Sequence, residues 1–150
     1  VPLATTVNEA SRKFRDTEEF IEDKYPVDIS ETVFIDCKVT QSGWRPTWLR
    51  KMLRDGAPLK AGRILEFLVT SCSATNPYIL MWKVLNRGPE AERRDMIRGQ
   101  IISSDESGTC LEHSDFKGDH VVECYVIKDE VVVARDRISV PISNTSTETT

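Results

Sequence analysis

From Val33 to Ile142 the apolar residues of this chain recur at every second position, in short runs separated by Gly, Pro, Ser, Asn and Asp. That spacing places alternate side chains on opposite faces of a strand, so it commits the chain to sheets with one buried face. In "TVFIDCKV" the residues Val33, Ile35, Cys37 and Val39 share one face, and Asp36 and Lys38 share the other. "RILEFLV" groups Leu65, Phe67 and Val69; "YILMWKVL", "RGQIIS", "HVVECYVI" and "EVVVARDRISVPI" follow, and "TCLE" supplies a short further strand. About seven short antiparallel strands in roughly a hundred residues predict a mainly β protein, an immunoglobulin-like antiparallel β-sandwich. "CYVIKDEVVVA" reads as a hairpin, although Asp129-Glu130 is a poorer turn pair than Asn-Gly.

Ahead of the strands the period changes. Thr6 and Glu9 have capping-box spacing, Val7, Ala10, Phe14 and Ile21 form one apolar stripe, and Pro26 closes the run. The expected organisation is an N-terminal helix and linker over 1–27, the sandwich over 28–142, and a frayed polar tail over 143–150. "RPTWLRKMLRDG" interrupts the strands as one short helix or a structured loop.

At 150 residues the chain is one ordinary domain. No apolar run approaches the roughly 18 residues of a membrane span, and the first residues have no signal-peptide core. A first residue other than Met fits a domain taken from a longer chain. The four cysteines, Cys37, Cys72, Cys110 and Cys124, form no C-x-x-C pair. Reduced thiols and a cytoplasmic location are expected.

Net charge is −4, yet between Trp44 and Arg63 six cations (Arg45, Arg50, Lys51, Arg54, Lys60, Arg63) face one acid, Asp55. An acidic chain with one basic segment points to an anionic partner there, or to a solvated cationic face. Trp44 and Trp48 lie among these cations, a pattern suited to stacking on a base while guanidinium groups meet phosphate. Trp48 is also placed to be buried with Leu49, Met52 and Leu53 on one helical face.

No nucleophile elbow, phosphate loop or paired metal-ligand motif is present, which argues against catalysis. Cys110, His113, His120 and Cys124 have superficially zinc-like spacing. In a strand, however, His120 and Cys124 would lie about 13 Å apart, too far for one ion, so no metal is expected. Glu123 and Asp136 fall on strand faces shared with apolar residues. They read as internal ion pairs fixing register, with Lys83 and Arg98 as partners, or as supports for a ligand pocket.

Three stretches, "GWRPTWLRKMLRDGAPLKAGRILEF", "WKVLNRGPEAERRDMIRGQI" and "FKGDHVVECYVIKDEVVVARDRISVPI", occur in an order and spacing that resemble the adenylyl/guanylyl and SMODS C-terminal sensor domain. The similarity runs from about Glu19 to Ile142, and "EEFIEDKYPVDI" is similar to the family's linker. W-K-V-x-N-x-G, the R-G after it, and F-x-G-x-H-x-V-E-C-Y are its most distinctive pieces.

The resemblance implies a non-catalytic sensor or regulatory module, and no cofactor is expected. Such domains sit at the C-terminus of bacterial nucleotidyltransferases related to animal cyclic-dinucleotide synthases, in antiphage signalling operons. It implies a nucleotide-derived or other ligand and an N-terminal nucleotidyltransferase domain or operon partner. It transfers no binding residues, so the site is read from the chain itself. Trp44 would stack, Arg45, Arg50 and Arg54 would contact phosphates, and Trp82, Lys83, Arg98, His120 and Glu123 would line or brace the pocket. Asn86 and Gly88 would shape a turn, Gly99 would serve turn geometry or a close backbone approach, and Asp136 would be structural. The competing readings are a module that docks on the enzyme or an effector, and a nonspecific nucleic-acid binder, which the net negative charge disfavours.

Overall fold

The computed structural model describes residues 18–40, 45–86, 99–104, 108–113 and 118–143, with the backbone alone at position 113. The described residues form nine strands: β1 (Val33–Thr40), β2 (Thr47–Trp48), β3 (Leu59–Lys60), β4 (Ile64–Cys72), β5 (Ile79–Leu85), β6 (Ile101–Ser103), β7 (Cys110–His113), β8 (Gly118–Lys128) and β9 (Val131–Ser143). The seven expected runs are all strands. The two additional ones, β2 and β3, are dipeptides flanking a helix, too short to leave a period in the sequence.

One sheet has the order β2-β1-β4-β7, the other β3-β9-β8-β5-β6. All pairings are antiparallel except β3 with β9. The sheets face each other across one core, built from Ile35, Cys37, Val39, Leu65 and Phe67 on one side and Trp82, Val84, Val122, Cys124, Ile138 and Val140 on the other. This is the two-layer sandwich that the alternation predicts. All four cysteines are free, and burial pushes the Cys37 and Cys124 thiols far up, so they behave as small apolar side chains.

"RPTWLRKMLRDG" resolves into helix α1 (Leu49–Asp55). Gly56 ends it in the left-handed region at φ 71°, and the Gly56 and Ala57 N–H groups return to Leu53 and Met52 carbonyls. Leu49 is buried, with Met52 and Leu53 packed on the core. Trp48 is not part of that buried face. It is 37% exposed, with the Lys38 ammonium 5.8 Å from its ring centroid.

The expected N-terminal helix falls largely on residues 1–17, outside the described ones. Where it can be compared, residues 18–27 form a strap over the outer face of the five-stranded sheet, with a single 3-10 turn at Ile21–Asp23. Tertiary contacts override the helical period there. Glu19 N–H donates to the Gly99 carbonyl, Glu19 Oε1 accepts from Ile101 N–H, and Val27 bridges Val132. Ile21, the stripe residue, is buried against Tyr125, Ile127 and Val132. A Cβ on Gly99 would lie 2.9 Å from Glu18 Cα, so the backbones approach closely there.

The β8–β9 hairpin turns through Asp129 and Glu130 at φ 51° and 64°. Two positive values are what a type I′ turn needs, here supplied without glycine. Of the residues expected to form a tail, 143–150, Ser143 is the last of β9, and 144–150 lie outside the described residues.

Candidate anion-binding pocket

α1 begins without a side-chain cap of its own. Asp36 of β1 substitutes, its Oδ1 accepting from Arg50 N–H at 3.1 Å and from Cys37 N–H at 2.7 Å. A carboxylate at that end complements the exposed N–H groups of the first turn. It also fixes α1 across the end of the four-stranded sheet. From Gly56 the chain returns through Pro58 to β3, which pairs with the last residues of β9.

A pocket of about 430 Å³ opens between these pieces. Val39, Met52, Pro58 and Leu59 give it apolar walls, Thr47 brings a hydroxyl, and Arg45, Lys60 and Arg63 are its charged groups. Among the described lining residues there is no acid. Arg63 Nη1 also donates to the Ala61 carbonyl at 3.1 Å, which steadies it at the rim. Apolar walls with cations around them suit a ligand that has an apolar body and an anionic group.

The other expected phosphate ligands lie elsewhere. Arg50 turns toward the sandwich edge: Nε donates to the Ile35 carbonyl at 2.7 Å, and Nη2 to Asp136 Oδ2 and the Arg137 carbonyl at 3.1 Å each. Asp136 Oδ2 also accepts from Ile35 N–H, so Arg50 and Asp136 together stitch β1 to β9. Arg54 is exposed on α1 outside the pocket lining, beside the Lys51–Asp55 pair that holds the Asp55 carboxyl below its usual range. Trp44 lies outside the described residues. Lys60, Arg63 and Thr47 are the pocket residues that residue-by-residue reading missed, although the first two belong to the charge excess counted above.

The second group of expected residues divides between two faces. Trp82 is fully buried in the core, and His120 is buried on the same interior face of β8 as Val122 and Cys124. Lys83 lies on the outer face under the strap, its ammonium 2.7 Å from Glu18 Oε2 and 4.7 Å from the Phe20 ring centroid. It is therefore not the partner of Glu123 or Asp136, although Lys83 and Glu123 are register neighbours.

Glu123 instead accepts from the Tyr125 hydroxyl and lies 3.7 Å from Arg137. Burial, with Glu123 second, pushes the Tyr125 phenol well above its usual range. Arg98 and Gly88 lie outside the described residues; Asn86 follows β5 in an isolated bridge. His120 and Cys124 both sit on β8, as their spacing implies. Among the described residues no three His, Cys, Asp or Glu side chains are grouped to hold a metal.

A family model described as the adenylyl/guanylyl and SMODS C-terminal sensor domain matches residues 15–143. No curated protein matches the chain.

Proposed function

Because the chain belongs to the adenylyl/guanylyl and SMODS C-terminal sensor domain family, we propose that it is the non-catalytic regulatory domain of a cytoplasmic nucleotidyltransferase system in antiphage signalling, and that it senses a nucleotide-derived anion in the Arg45–Lys60–Arg63 pocket. The observation that carries this reading is the pocket's composition: three cations, Arg45, Lys60 and Arg63, over apolar walls. A base or sugar would rest on Met52, Pro58 and Leu59, with phosphate toward Arg45 and Arg63, where guanidinium forks match phosphate oxygens. An immunoglobulin-like wiring is part of the proposal. It is supported by β1-β4-β7 in one sheet and β9-β8-β5-β6 in the other, with crossings from β4 to β5, β6 to β7 and β7 to β8, and by the buried Trp82 on a central strand.

Calorimetric titration with cyclic di- and trinucleotides tests the assignment. Saturable binding is expected, weakened by salt and lost in Arg45→Ala/Arg63→Ala. Saturable binding that survives this double variant would move the ligand out of the pocket, and silence across the panel would sink the nucleotide reading. One observation favours docking on a partner protein instead. The outer face of the four-stranded sheet carries exposed Phe34, Ile64 and Leu111. A silent panel together with direct binding to the nucleotidyltransferase, abolished by Leu111→Glu, would favour that alternative.

A further inference from the structure

The outer face of the five-stranded sheet holds a second pair of arginines that the reading above does not use. The strap crosses this face and is held in two different ways. Its inner part is anchored by the buried Lys83 ammonium, 2.7 Å from Glu18, by the Glu19 contact to Ile101 N–H, and by the buried Ile21 side chain. One residue on, the hold is exposed. Glu22 Oε2 meets Arg135 Nη1 at 3.2 Å, with the two side chains 57% and 49% exposed.

Beside that pair is a cleft of about 400 Å³ lined by Glu123, Tyr125, Arg135, Asp136 and Arg137. The β8–β9 register sets Arg135 opposite Tyr125 and Arg137 opposite Glu123. Arg137 meets Glu123 at 3.7 Å, beyond hydrogen-bond length. The Asp136 carboxylate is already engaged by Arg50, Ile35 N–H and Arg137 N–H.

We propose that this cleft is an anion-exchange site. A small phosphate-bearing ligand binds Arg135 and Arg137, its phosphate takes the place of the Glu22 carboxylate, and the outer part of the strap is released while the Glu18 anchor holds. In the resting molecule Glu22 is the internal anion that occupies Arg135. Exposed pairs of this kind contribute little, so exchange costs little, whereas a guanidinium offers phosphate two parallel bonds. With Glu22 swung out, Arg135 and Arg137 stand beside the Glu123 carboxylate, while the Asp136 carboxylate is taken up by Arg50. The buried Lys83–Glu18 pair cannot exchange in this way, because separating it would strand a charge away from water. The cleft is distinct from the Arg45 pocket: Arg137 and Ile142, which pairs with β3, are about 16 Å apart along β9.

The test is hydrogen exchange across the strap, followed by mass spectrometry on the full 150-residue chain, as inorganic pyrophosphate is titrated against sodium chloride of equal ionic strength. Pyrophosphate should saturably raise exchange over residues 22–25, between the Glu18 anchor and the Val27 bridge to Val132, and leave 18–21 protected. The response should persist in Arg45→Ala/Arg63→Ala and vanish in Arg135→Gln/Arg137→Gln, so failure here is separable from failure of the pocket reading. Glu22→Gln, which removes the competing carboxylate, should bind pyrophosphate about twofold to fivefold tighter. A response equalled by sodium chloride, or one that survives Arg135→Gln/Arg137→Gln, overturns the proposal. So does an unchanged pyrophosphate affinity in Glu22→Gln, which would leave Glu22 a purely structural latch.

Discussion

Arg45 and Arg50 lie a few residues apart in the same cationic segment, yet their surroundings give them different work. Arg45 lines a pocket beside Lys60 and Arg63, with no described acid among the lining residues. Arg50 is consumed in joining β1 to β9 through Ile35, Asp136 and Arg137. What separates them is the acids that strands deliver to Arg50: Asp36 accepts from its backbone N–H and Asp136 from its guanidinium, whereas Arg45 lines the pocket. A charge count along the chain registers both arginines equally. Only the pairing of strands decides which cation is structural and which is available to a ligand.

Lys83 is the cation most committed to folding, so it tests the structural side hardest. Lys83→Ala takes from the largely buried Glu18 carboxylate of the strap the ammonium that sits 2.7 Å from it. The expected loss is about 3 kcal/mol. For a domain of this size that is a fall in Tm of about 6–12 °C. Replacing both partners, Lys83→Met with Glu18→Leu, should recover most of the loss, because no charge is then stranded. A wild-type melting curve for Lys83→Ala alone would show that this pair does not hold the strap.

The two arginines themselves give the sharpest contrast. Arg50→Ala removes donors to two carbonyls and to Asp136, and should cost about 2 kcal/mol in urea unfolding. Arg45→Ala should stay within about 0.5 kcal/mol of wild type. Ligand binding should reverse the order, with Arg45→Ala weakening it directly and Arg50→Ala acting only as far as it disturbs α1. Equal destabilisation by the two changes would erase the distinction drawn here.

Gly99→Ala probes how closely the strap is seated. The new methyl would meet Glu18 Cα, on the strap's inner anchor, at 2.9 Å and Leu85 Cδ2, at the end of β5, at 3.1 Å. Overpacking of that kind costs about 1–2 kcal/mol. Faster amide exchange at Glu19, whose N–H donates to the Gly99 carbonyl, should accompany it. Unchanged protection at Glu19 would mean that the strap adjusts without lifting.

How far the sequence could be read follows from the same contrast. Alternation identified β1, β4, β5, β8 and β9 because each buries one face, and "TCLE" was legible even as a short strand. β2 and β3 were not, since two residues cannot display a period. Over 18–27 the helical spacing of Ile21 misled, because what fixes those residues is the sheet beneath them and the glycine at position 99. Asp136 draws attention by its apolar strand neighbours, but no spacing reveals the Arg50 that meets it, because Arg50 reaches it from a helix 86 residues away in sequence. The pocket was visible only as a charge excess. Arg45, Lys60 and Arg63 share no motif, and it is the return of the chain from α1 to β3 that assembles them.

The smallest expected effect concerns the exposed end of the strap. The Glu22 carboxyl is held below its ordinary value of 4.5, chiefly by a backbone hydrogen bond and secondarily by Arg135. A depressed folded-state pKa means that the charged form is favoured by folding. The contribution is therefore fully present above pH 4.5 and is lost as pH falls through the lower folded value. Solvent screening of so exposed a pair keeps it within about 1 kcal/mol. Melting temperatures between about pH 6 and pH 3 should accordingly fall less steeply in Glu22→Gln than in wild type. The Lys83 anchor should not alter that difference, because buried and exposed holds on one strap act on separate groups. An identical acid limb in the two proteins would show that Glu22 makes no pH-dependent contribution to the strap, leaving its attachment to the buried groups alone.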